Sequence, residues 1–228
     1  MEIVYSYQSG LYSPTMAKDD NGDISSDYAA SGFGQGLTPG AVPALLLVDW
    51  ARAYFDPDSP LYANVEVERE VAARLADDAR SGNRAIVFTK VEYVPGDPLR
   101  DGGHFYRKAA GLKCFDRGNP LGDFTPELSP EEGDHVVTKQ WPSAFFGTGL
   151  ADWLRRQGVD TLVITGLSTS GCVRASALDA LCHGFVPLIV AEACGDRHRA
   201  VHDASLFDLA SKYADVVTPD WASIYLKG

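Results

Sequence analysis

Residues 161–174, with the sequence TLVITGLSTSGCVR, determine how the rest of the chain is interpreted. An apolar, β-branched run stops at Gly166, a loop of small residues follows, and Cys172 then opens a segment with helical spacing. This pattern predicts a buried strand, a tight loop and a helix that begins at the cysteine. The N–H groups and dipole of a helix N-terminus favour a thiolate, and they can also stabilise the oxyanion formed when that thiolate attacks a carbonyl. We therefore interpret the segment as a nucleophile loop.

Strand-like apolar runs alternate with segments of helical spacing from residue 44 onward. The predicted strands are 44–48, 84–89, 134–139, 162–165, 186–191 and 215–218, and the predicted helices are 65–80, 150–157, 172–183 and 200–213. This alternation predicts right-handed crossovers and an α/β fold with a mostly parallel sheet.

No internal repeat or linker divides the chain after its first 40 residues. Residues 13–40 are rich in Gly, Ser, Asp and Pro and have no sustained period, so we predict an N-terminal arm at 1–40 and a single domain at 41–228. Residues 91–133 form the one long irregular connection, and loops of this length are usually functional or used in assembly.

Composition narrows the classes of partner and the compartment. The formal charge of −11 over 228 residues argues against binding to nucleic acid or to an anionic membrane. No apolar run approaches the roughly 20 residues that span a bilayer, and residues 1–8 lack the features of a signal peptide. The four cysteines are widely spaced with no CxxC pair, so we expect a reduced, cytoplasmic compartment.

Three reactive side chains fall at the carboxyl ends of predicted strands, where α/β sheets bind their ligands. Asp49 follows the first strand, Lys139 ends the third, and Cys172 follows the fourth. Taken singly, an acid here is commonly a cap, a strand-end lysine is usually solvated, and a cysteine is more often structural. Together, a carboxylate, an ammonium and a thiol form an acid–base unit suited to acyl transfer.

The segments around these residues resemble a known family. LLVDW at 46–50, VTKQWPSAF at 137–145 and TGLSTSGCVR at 165–174 are similar to the isochorismatase-like cysteine hydrolases, in particular their N-carbamoylsarcosine amidase and maleamate amidase branch. The resemblance covers residues 30 to 220 and implies a three-layer α/β sandwich with strand order 3-2-1-4-5-6. It also implies an Asp49–Lys139–Cys172 triad, a cis peptide between Leu167 and Ser168, and an oxyanion hole formed by the N–H groups of Ser168 and Cys172. A homo-oligomer, dimer or tetramer, is a further implication.

The resemblance also bears on cofactors and on substrate. True isochorismatases lack the cysteine, so Cys172 argues against vinyl-ether hydrolysis. The segment FTKVEY at 88–93 lacks the Asp-x-His metal motif of nicotinamidases, so we expect no metal there and no other cofactor. Arg197, in CGDRH at 194–198, is similar to an arginine that holds the substrate carboxylate in carbamoylsarcosine amidases. The alternative for Arg197 is a salt bridge with Asp196 or Asp203.

Other candidate site residues have weaker signals. Trp141 and Thr169 are further candidate substrate contacts, and several aromatic residues near strand ends are suited to lining a pocket or to ordinary packing. These aromatic residues are Trp50, Phe55, Tyr93, Trp141 and Phe145. His198 and His202 are spaced for a metal site on one helix face, although such residues are more often a polar helix start.

These observations predict a cofactor-free amidohydrolase that acts on a small carboxylate-bearing substrate through a cysteine thioester and releases ammonia. Two alternatives stay open at this point. The substrate could be a ring lactam or a larger secondary-metabolite amide, since residues 91–133 could reshape the pocket. The chain could instead be a non-catalytic binding or assembly module, although such a module has no need of a reactive thiol.

Overall fold

The computed structural model describes residues 3–8, 11–16 and 24–228 of the chain. The strands are β1 (Ile3–Gln8), β2 (Leu11–Met16), β3 (Pro43–Val48), β4 (Ala85–Val91), β5 (His135–Lys139), β6 (Thr161–Leu167), β7 (Val186–Gly195) and β8 (Asp215–Val217). The helices are α1 (Ile24–Ala30), α2 (Glu66–Ser81), α3 (Gly103–Lys108), α4 (Leu150–Arg156), α5 (Arg174–Cys182), α6 (Arg199–Lys212) and α7 (Pro219–Lys227). Short 3-10 turns lie at Arg52–Tyr54, Ala110–Phe115 and Pro120–Gly122, and a π-helical turn lies at Thr169–Val173.

Six parallel strands form the centre of the sheet, in the order β5-β4-β3-β6-β7-β8. Numbered along the chain from β3, this order is 3-2-1-4-5-6, which confirms the predicted topology. All six predicted strands are present, with bounds that differ from the prediction by a few residues. The direction of the chain therefore brings the ends of β3, β5 and β6 to the same edge.

Helices cover both faces of this sheet, and β3 shows how the sequence divides between them. Leu45 and Leu47 pack into a core shared with α2 and α7, whereas Leu46 and Val48 pack into a core shared with α4, α5 and α6. Side chains on a strand alternate between faces, so a continuous apolar run is what a strand buried on both sides requires. The result is the predicted three-layer sandwich.

The N-terminal region differs from the prediction of an irregular arm. β1 and β2 pair with each other antiparallel over six residue pairs, and Leu11 of β2 pairs with Val217 of β8, so the hairpin extends the sheet. The segment IVYSYQ is rich in β-branched and aromatic residues, which favour a strand, but nothing in it identifies the strand with which it pairs. Residues 17–23 of the predicted arm lie outside the described residues, and the division of the chain at residue 40 stays a prediction.

Several helices were also absent from the prediction. α7 was missed although Thr218 caps it, accepting a hydrogen bond from the Trp221 N–H at 3.1 Å, and Pro219 occupies its first turn. The long connection at 91–133 contains α3 and two 3-10 turns, and it buries Leu112, Phe115 and Leu128 in the core on the α2 side. None of the helices in the described ranges is both long and apolar enough to cross a bilayer.

Candidate active site

Asp49, Lys139 and Cys172 meet at the carboxyl edge of the central sheet. Asp49 follows β3, Lys139 is the last residue of β5, and Cys172 lies in the π-helical turn after β6. Lys139 Nζ donates a hydrogen bond to Asp49 Oδ2 at 2.8 Å, and both side chains are about 1 % exposed or less. Cys172 is 9 % exposed, and its interactions with the Asp49 carboxylate and the Lys139 ammonium both shift the pKa of its thiol. The three groups form one buried, interacting unit.

The Asp49 carboxylate is held in place by the neighbouring strand as well as by Lys139. Thr89 of β4 donates its hydroxyl hydrogen to Asp49 Oδ1 at 2.5 Å and accepts the Asp49 backbone N–H at 3.0 Å. Asp49 has a positive φ of 54°, which aspartate tolerates better than most residues, and this turn aims its side chain at the edge of the sheet. Both carboxylate oxygens therefore have a fixed hydrogen-bond donor.

Lys139 is a buried ammonium whose donors are all used. Its Nζ donates to Asp49, to the Trp141 carbonyl at 3.2 Å and to the Pro142 carbonyl at 3.0 Å. Burial has the largest single effect and would lower the pKa of Lys139, but the interactions with Asp49 and Cys172 together outweigh burial, and the net pKa is raised. Lys139 is therefore a fixed positive charge and not a free amine.

The Cys172 thiol corrects one expectation from the sequence. Burial raises its pKa to about 12, the Lys139 charge opposes this rise, and the Asp49 charge adds to it. The helix N-terminus led us to expect a thiolate, but burial and Asp49 together outweigh the lowering of the thiol pKa by Lys139. The resting side chain is a thiol, and it needs a base to become a nucleophile.

The loop that carries Cys172 is fixed by its own backbone. The N–H groups of Gly171 and Val173 both donate to the Ser168 carbonyl, at 3.0 and 3.2 Å, and the Leu167–Ser168 peptide bond is cis. Gly166 has a φ of 131°, and a Cβ at this position would clash with the Val48 carbonyl of β3. Cys172 lies in the π-helical turn and precedes α5 by two residues, rather than opening that helix as predicted.

The hydroxyl of Thr169, a predicted substrate contact, binds groups within the protein. Its side chain is fully buried, and its hydroxyl contacts the Gly195 carbonyl at 3.0 Å and His202 Nδ1 at 2.8 Å. Because the single hydroxyl hydrogen is donated to Gly195, His202 Nδ1 must be the donor to Thr169. Burial lowers the pKa of His202, in keeping with a neutral ring. Both hydrogen bonds of the Thr169 hydroxyl are therefore internal, and the role of Thr169 as a substrate contact stays a prediction.

Arg197 and Trp141 lie at the edges of the site. Arg197 is exposed, and its guanidinium donates to the Pro60 carbonyl in the loop after β3, so neither predicted salt bridge, with Asp196 or Asp203, is formed. Asp196 instead accepts the Ser170 N–H at 2.8 Å, and Asp203 pairs with Arg199. Trp141 is half-buried, with its ring 5.6 Å from that of Phe146.

The comparisons with known proteins agree with this geometry. Residues 43–220 match the isochorismatase domain model. The chain belongs to the isochorismatase family. It is 48 % identical to maleamate amidohydrolase from Pseudomonas putida over 187 residues, which cover 82 % of this chain and 87 % of that protein.

Two further relatives place the chain within the family. It is 30 % identical to N-carbamoylsarcosine amidase from an Arthrobacter species, with 87 % of this chain and 76 % of that protein covered. The crystal structure of an isochorismatase-like hydrolase from Alkaliphilus metalliredigens superposes with a TM-score of 0.71 at 26 % identity, covering 79 % and 97 % of the two chains. The stated resemblance to the amidase branch of this family is thereby confirmed.

Sequence reasoning missed Thr89 and Tyr54 near the triad, and it named Tyr93 only as one of several aromatic residues suited to lining a pocket or to packing. Thr89 binds Asp49 directly, and Tyr54 and Tyr93 are buried where the charges of Cys172 and Asp49 raise the pKa values of their hydroxyls. Thr89 had a usable signal, because it directly follows the apolar run 85–88 of the strand that neighbours the one before Asp49. No comparable signal distinguished Tyr54 from other aromatic residues.

The two histidines of the alternative metal site have separate environments. His202 is buried and binds Thr169, whereas His198 is exposed and precedes the first turn of α6. Across the described part of the chain, no group of three or more His, Cys, Asp or Glu side chains is arranged to hold a metal ion.

Proposed function

We propose that this protein hydrolyses the terminal amide or carbamoyl C–N bond of a small carboxylate-bearing substrate through a thioester on Cys172, and releases ammonia. The observation that carries the proposal is the buried contact of Cys172 with Asp49, which Lys139 and Thr89 hold in place. The coarser statement, that the chain is a hydrolase of carbon–nitrogen bonds other than peptide bonds, follows from its family and its two amidase relatives. The name of the maleamate relative supports the substrate class.

The first step is attack of the Cys172 sulfur on the amide carbonyl carbon. Because burial keeps the thiol protonated, Asp49 takes its proton as the carbon–sulfur bond forms. We assign stabilisation of the resulting oxyanion to the N–H groups of Ser168 and Cys172, which belong to a loop held by internal hydrogen bonds. Donors that are already fixed need no reorganisation when the charge develops.

The tetrahedral intermediate then collapses as its C–N bond breaks. Asp49, now protonated, gives its proton to the leaving nitrogen, which departs as ammonia and leaves the acyl group on sulfur. Water attacks this thioester while Asp49 takes the water proton, and Asp49 gives that proton to the Cys172 sulfur as the carbon–sulfur bond breaks, which restores the thiol and releases the acid. Asp49 thus moves one proton in each half of the reaction.

Lys139 supplies charge and position and takes part in no proton transfer. Its three donors are satisfied by Asp49 and two backbone carbonyls, so it orients the carboxylate and offsets the negative charge that forms at sulfur. A Schiff base at Lys139 is disfavoured, because Asp49 keeps the amine protonated.

The substrate contacts in this proposal are Arg197 and Trp141. An arginine suits a carboxylate because its planar fork donates two parallel hydrogen bonds. Arg197 would exchange its contact with the Pro60 carbonyl for the substrate, and its exposed position allows this exchange. Trp141 is placed beside the triad by its own carbonyl, which binds Lys139.

Location and assembly are further parts of the proposal. All four cysteines of the chain are free, which supports a reduced compartment such as the cytoplasm. A homo-oligomer stays a prediction from the resemblance.

The test is ammonia release from maleamate, N-carbamoylsarcosine, ureidoacrylate, nicotinamide and an uncharged amide by wild type, Cys172→Ala and Cys182→Ala. Cys182 is an exposed cysteine outside the site and serves as the matched control. We expect turnover of the carboxylate-bearing members by wild type and Cys182→Ala and none by Cys172→Ala. Turnover only of uncharged amides would refute the substrate class, and equal activity of wild type and Cys172→Ala would refute the thiol mechanism.

A further inference from the structure

Tyr93 carries a buried hydroxyl that the fold leaves without a partner. The residue is 0 % exposed, and its hydroxyl oxygen makes no hydrogen bond within the described residues. A buried polar group without a partner is destabilising, so native proteins keep such groups where a ligand or water supplies the missing bond. The position of this hydroxyl therefore indicates a ligand contact.

The location of Tyr93 connects it to the triad. Tyr93 lies two residues beyond the end of β4, its ring packs into the core on the α2 side, and it is close enough to Cys172 and Asp49 for both charges to act on its hydroxyl. The backbone continues alongside β5, since the Glu92 N–H donates to the Lys139 carbonyl at 3.1 Å. Tyr93 thus follows directly on the strand that lies between Asp49 and Lys139.

The surrounding structure fixes the Tyr93 ring. Its backbone N–H donates to the Phe115 carbonyl at 3.0 Å, and its own carbonyl accepts the Arg117 N–H at 2.9 Å. The Tyr106 ring packs at 4.7 Å between centroids, and a Cβ at Gly102 would clash with the Tyr93 ring. A hydroxyl held this firmly is organised in advance for binding.

The protonation state of Tyr93 makes it a donor. Burial, together with the charges of Cys172 and Asp49, raises the pKa of its hydroxyl well above the usual value. The phenol is therefore neutral over the working range of pH, and it offers one O–H to an acceptor.

We infer that the Tyr93 hydroxyl donates a hydrogen bond to the carboxylate of the substrate. This inference rests on the proposed function for the identity of the substrate. In that mechanism Asp49 and the Ser168 and Cys172 N–H groups serve the reacting amide, so the remaining acceptor of a small amide acid is its carboxylate. Moving a carboxylate out of water is costly unless donors meet it, and the unused donor of Tyr93 meets this need.

The experiment compares wild type, Tyr93→Phe and Tyr106→Phe. Each variant removes one hydroxyl from one of two adjacent rings, and the Tyr106 hydroxyl is bound to Asp116 at 2.8 Å rather than left without a partner. Calorimetry measures the Kd of maleate, a dicarboxylate that needs no turnover to bind, and steady-state kinetics follow maleamate and acrylamide, which lacks the carboxylate.

We expect Tyr93→Phe to weaken maleate binding about 10- to 100-fold, as for loss of a hydrogen bond to a charged group. The KM for maleamate should rise to a similar extent with little change in kcat, acrylamide kinetics should not change, and Tyr106→Phe should match wild type in all three measurements.

Three results would overturn the inference: unchanged maleate affinity in Tyr93→Phe, no maleate binding to wild type, or an equal loss of kcat for both substrates. Failure of the proposed function would look different. If only the proposed function fails, wild type binds maleate through Tyr93 but does not hydrolyse maleamate. If only the inference fails, wild type hydrolyses maleamate and Tyr93→Phe binds maleate as tightly as wild type.

Discussion

The triad and the connection after β7 differ in how their side chains are used. Asp49, Lys139 and Cys172 come from three strand ends and contact one another, away from solvent. Residues 195–202 also follow a strand end at the same edge, yet they mainly hold the nucleophile loop: Gly195 and His202 bind Thr169, and Asp196 binds Ser170. A strand end fixes where a residue lies, but neighbouring groups decide whether its side chain faces substrate or supports the site.

The largest effect that tests this comparison is expected for Lys139→Met. The variant leaves the Asp49 carboxylate buried without its cation, so we expect loss of about 3–5 kcal/mol in the free energy of unfolding. We also expect a fall in kcat/KM of at least about a thousandfold, since Lys139 positions the base.

Lys90→Met is the matched control for this substitution. Lys90 is on the adjacent strand β4 and forms a partly exposed pair with Asp123 at 3.6 Å, which should contribute less than about 1 kcal/mol. Urea unfolding and steady-state kinetics check both variants, and equal stability losses in the two would contradict the triad account.

Arg197→Ala tests whether the connection after β7 also binds substrate. If the guanidinium holds the substrate carboxylate, KM for maleamate should rise about 10- to 100-fold while kcat changes little. Its exposed contact with Pro60 should make the variant nearly as stable as wild type. Arg199→Ala, two residues further along the chain, is the control. Equal KM values for the two variants would mean that Arg197 only connects its loop to the loop of Pro60 and does not bind substrate.

Thr169→Val tests whether the Thr169 hydroxyl holds the nucleophile loop in place. The substitution removes the hydroxyl that binds Gly195 and His202, so we expect a loss of about 1–3 kcal/mol in unfolding free energy, with KM unchanged. Thr169→Ser keeps the hydroxyl and should restore most of that stability. A rise in KM with no loss of stability would instead support a direct contact between Thr169 and the substrate.

The smallest expected effect concerns the reactivity of the free enzyme. Because burial raises the pKa of Cys172 to about 12, its alkylation by iodoacetamide should accelerate with pH up to about 10 without a plateau. A free cysteine, with a pKa near 8.5, reaches its plateau within that range. Peptide mapping assigns the rate to Cys172, and a plateau below about pH 8 would mean that the thiolate is already formed in the resting enzyme.

These cases explain how much of the molecule the sequence could predict. The strands and the meeting of Asp49, Lys139 and Cys172 could be predicted, because apolar runs identify buried strands and parallel strands present their ends at one edge. The strand order followed only from the resemblance to the family. The state of the thiol could not, since it depends on the balance between burial and the charges of Lys139 and Asp49. The internal hydrogen bonding of Thr169 could not be predicted either, because its partner His202 is 33 residues away in the sequence and only the fold brings it close.

The N-terminal hairpin and Tyr93 illustrate a second limit. The pairing of Leu11 with Val217 joins distant residues, and no local pattern in either segment indicates it. The sequence places Tyr93 near a strand end among several aromatic residues, but only the structure distinguishes it by its buried hydroxyl without a partner among the described residues. Local patterns therefore predict elements, whereas functional detail depends on contacts between them.

The thioester on Cys172 is the central claim, and acyl transfer to hydroxylamine tests it most directly. With the substrate that turns over fastest, increasing hydroxylamine should divert product from the acid to the hydroxamate while the rate of ammonia release does not fall, because both nucleophiles attack the same acyl-enzyme. Cys172→Ala should form neither product. Release of the acid alone at every hydroxylamine concentration, or hydroxamate formation by Cys172→Ala at the wild-type rate, would contradict the account.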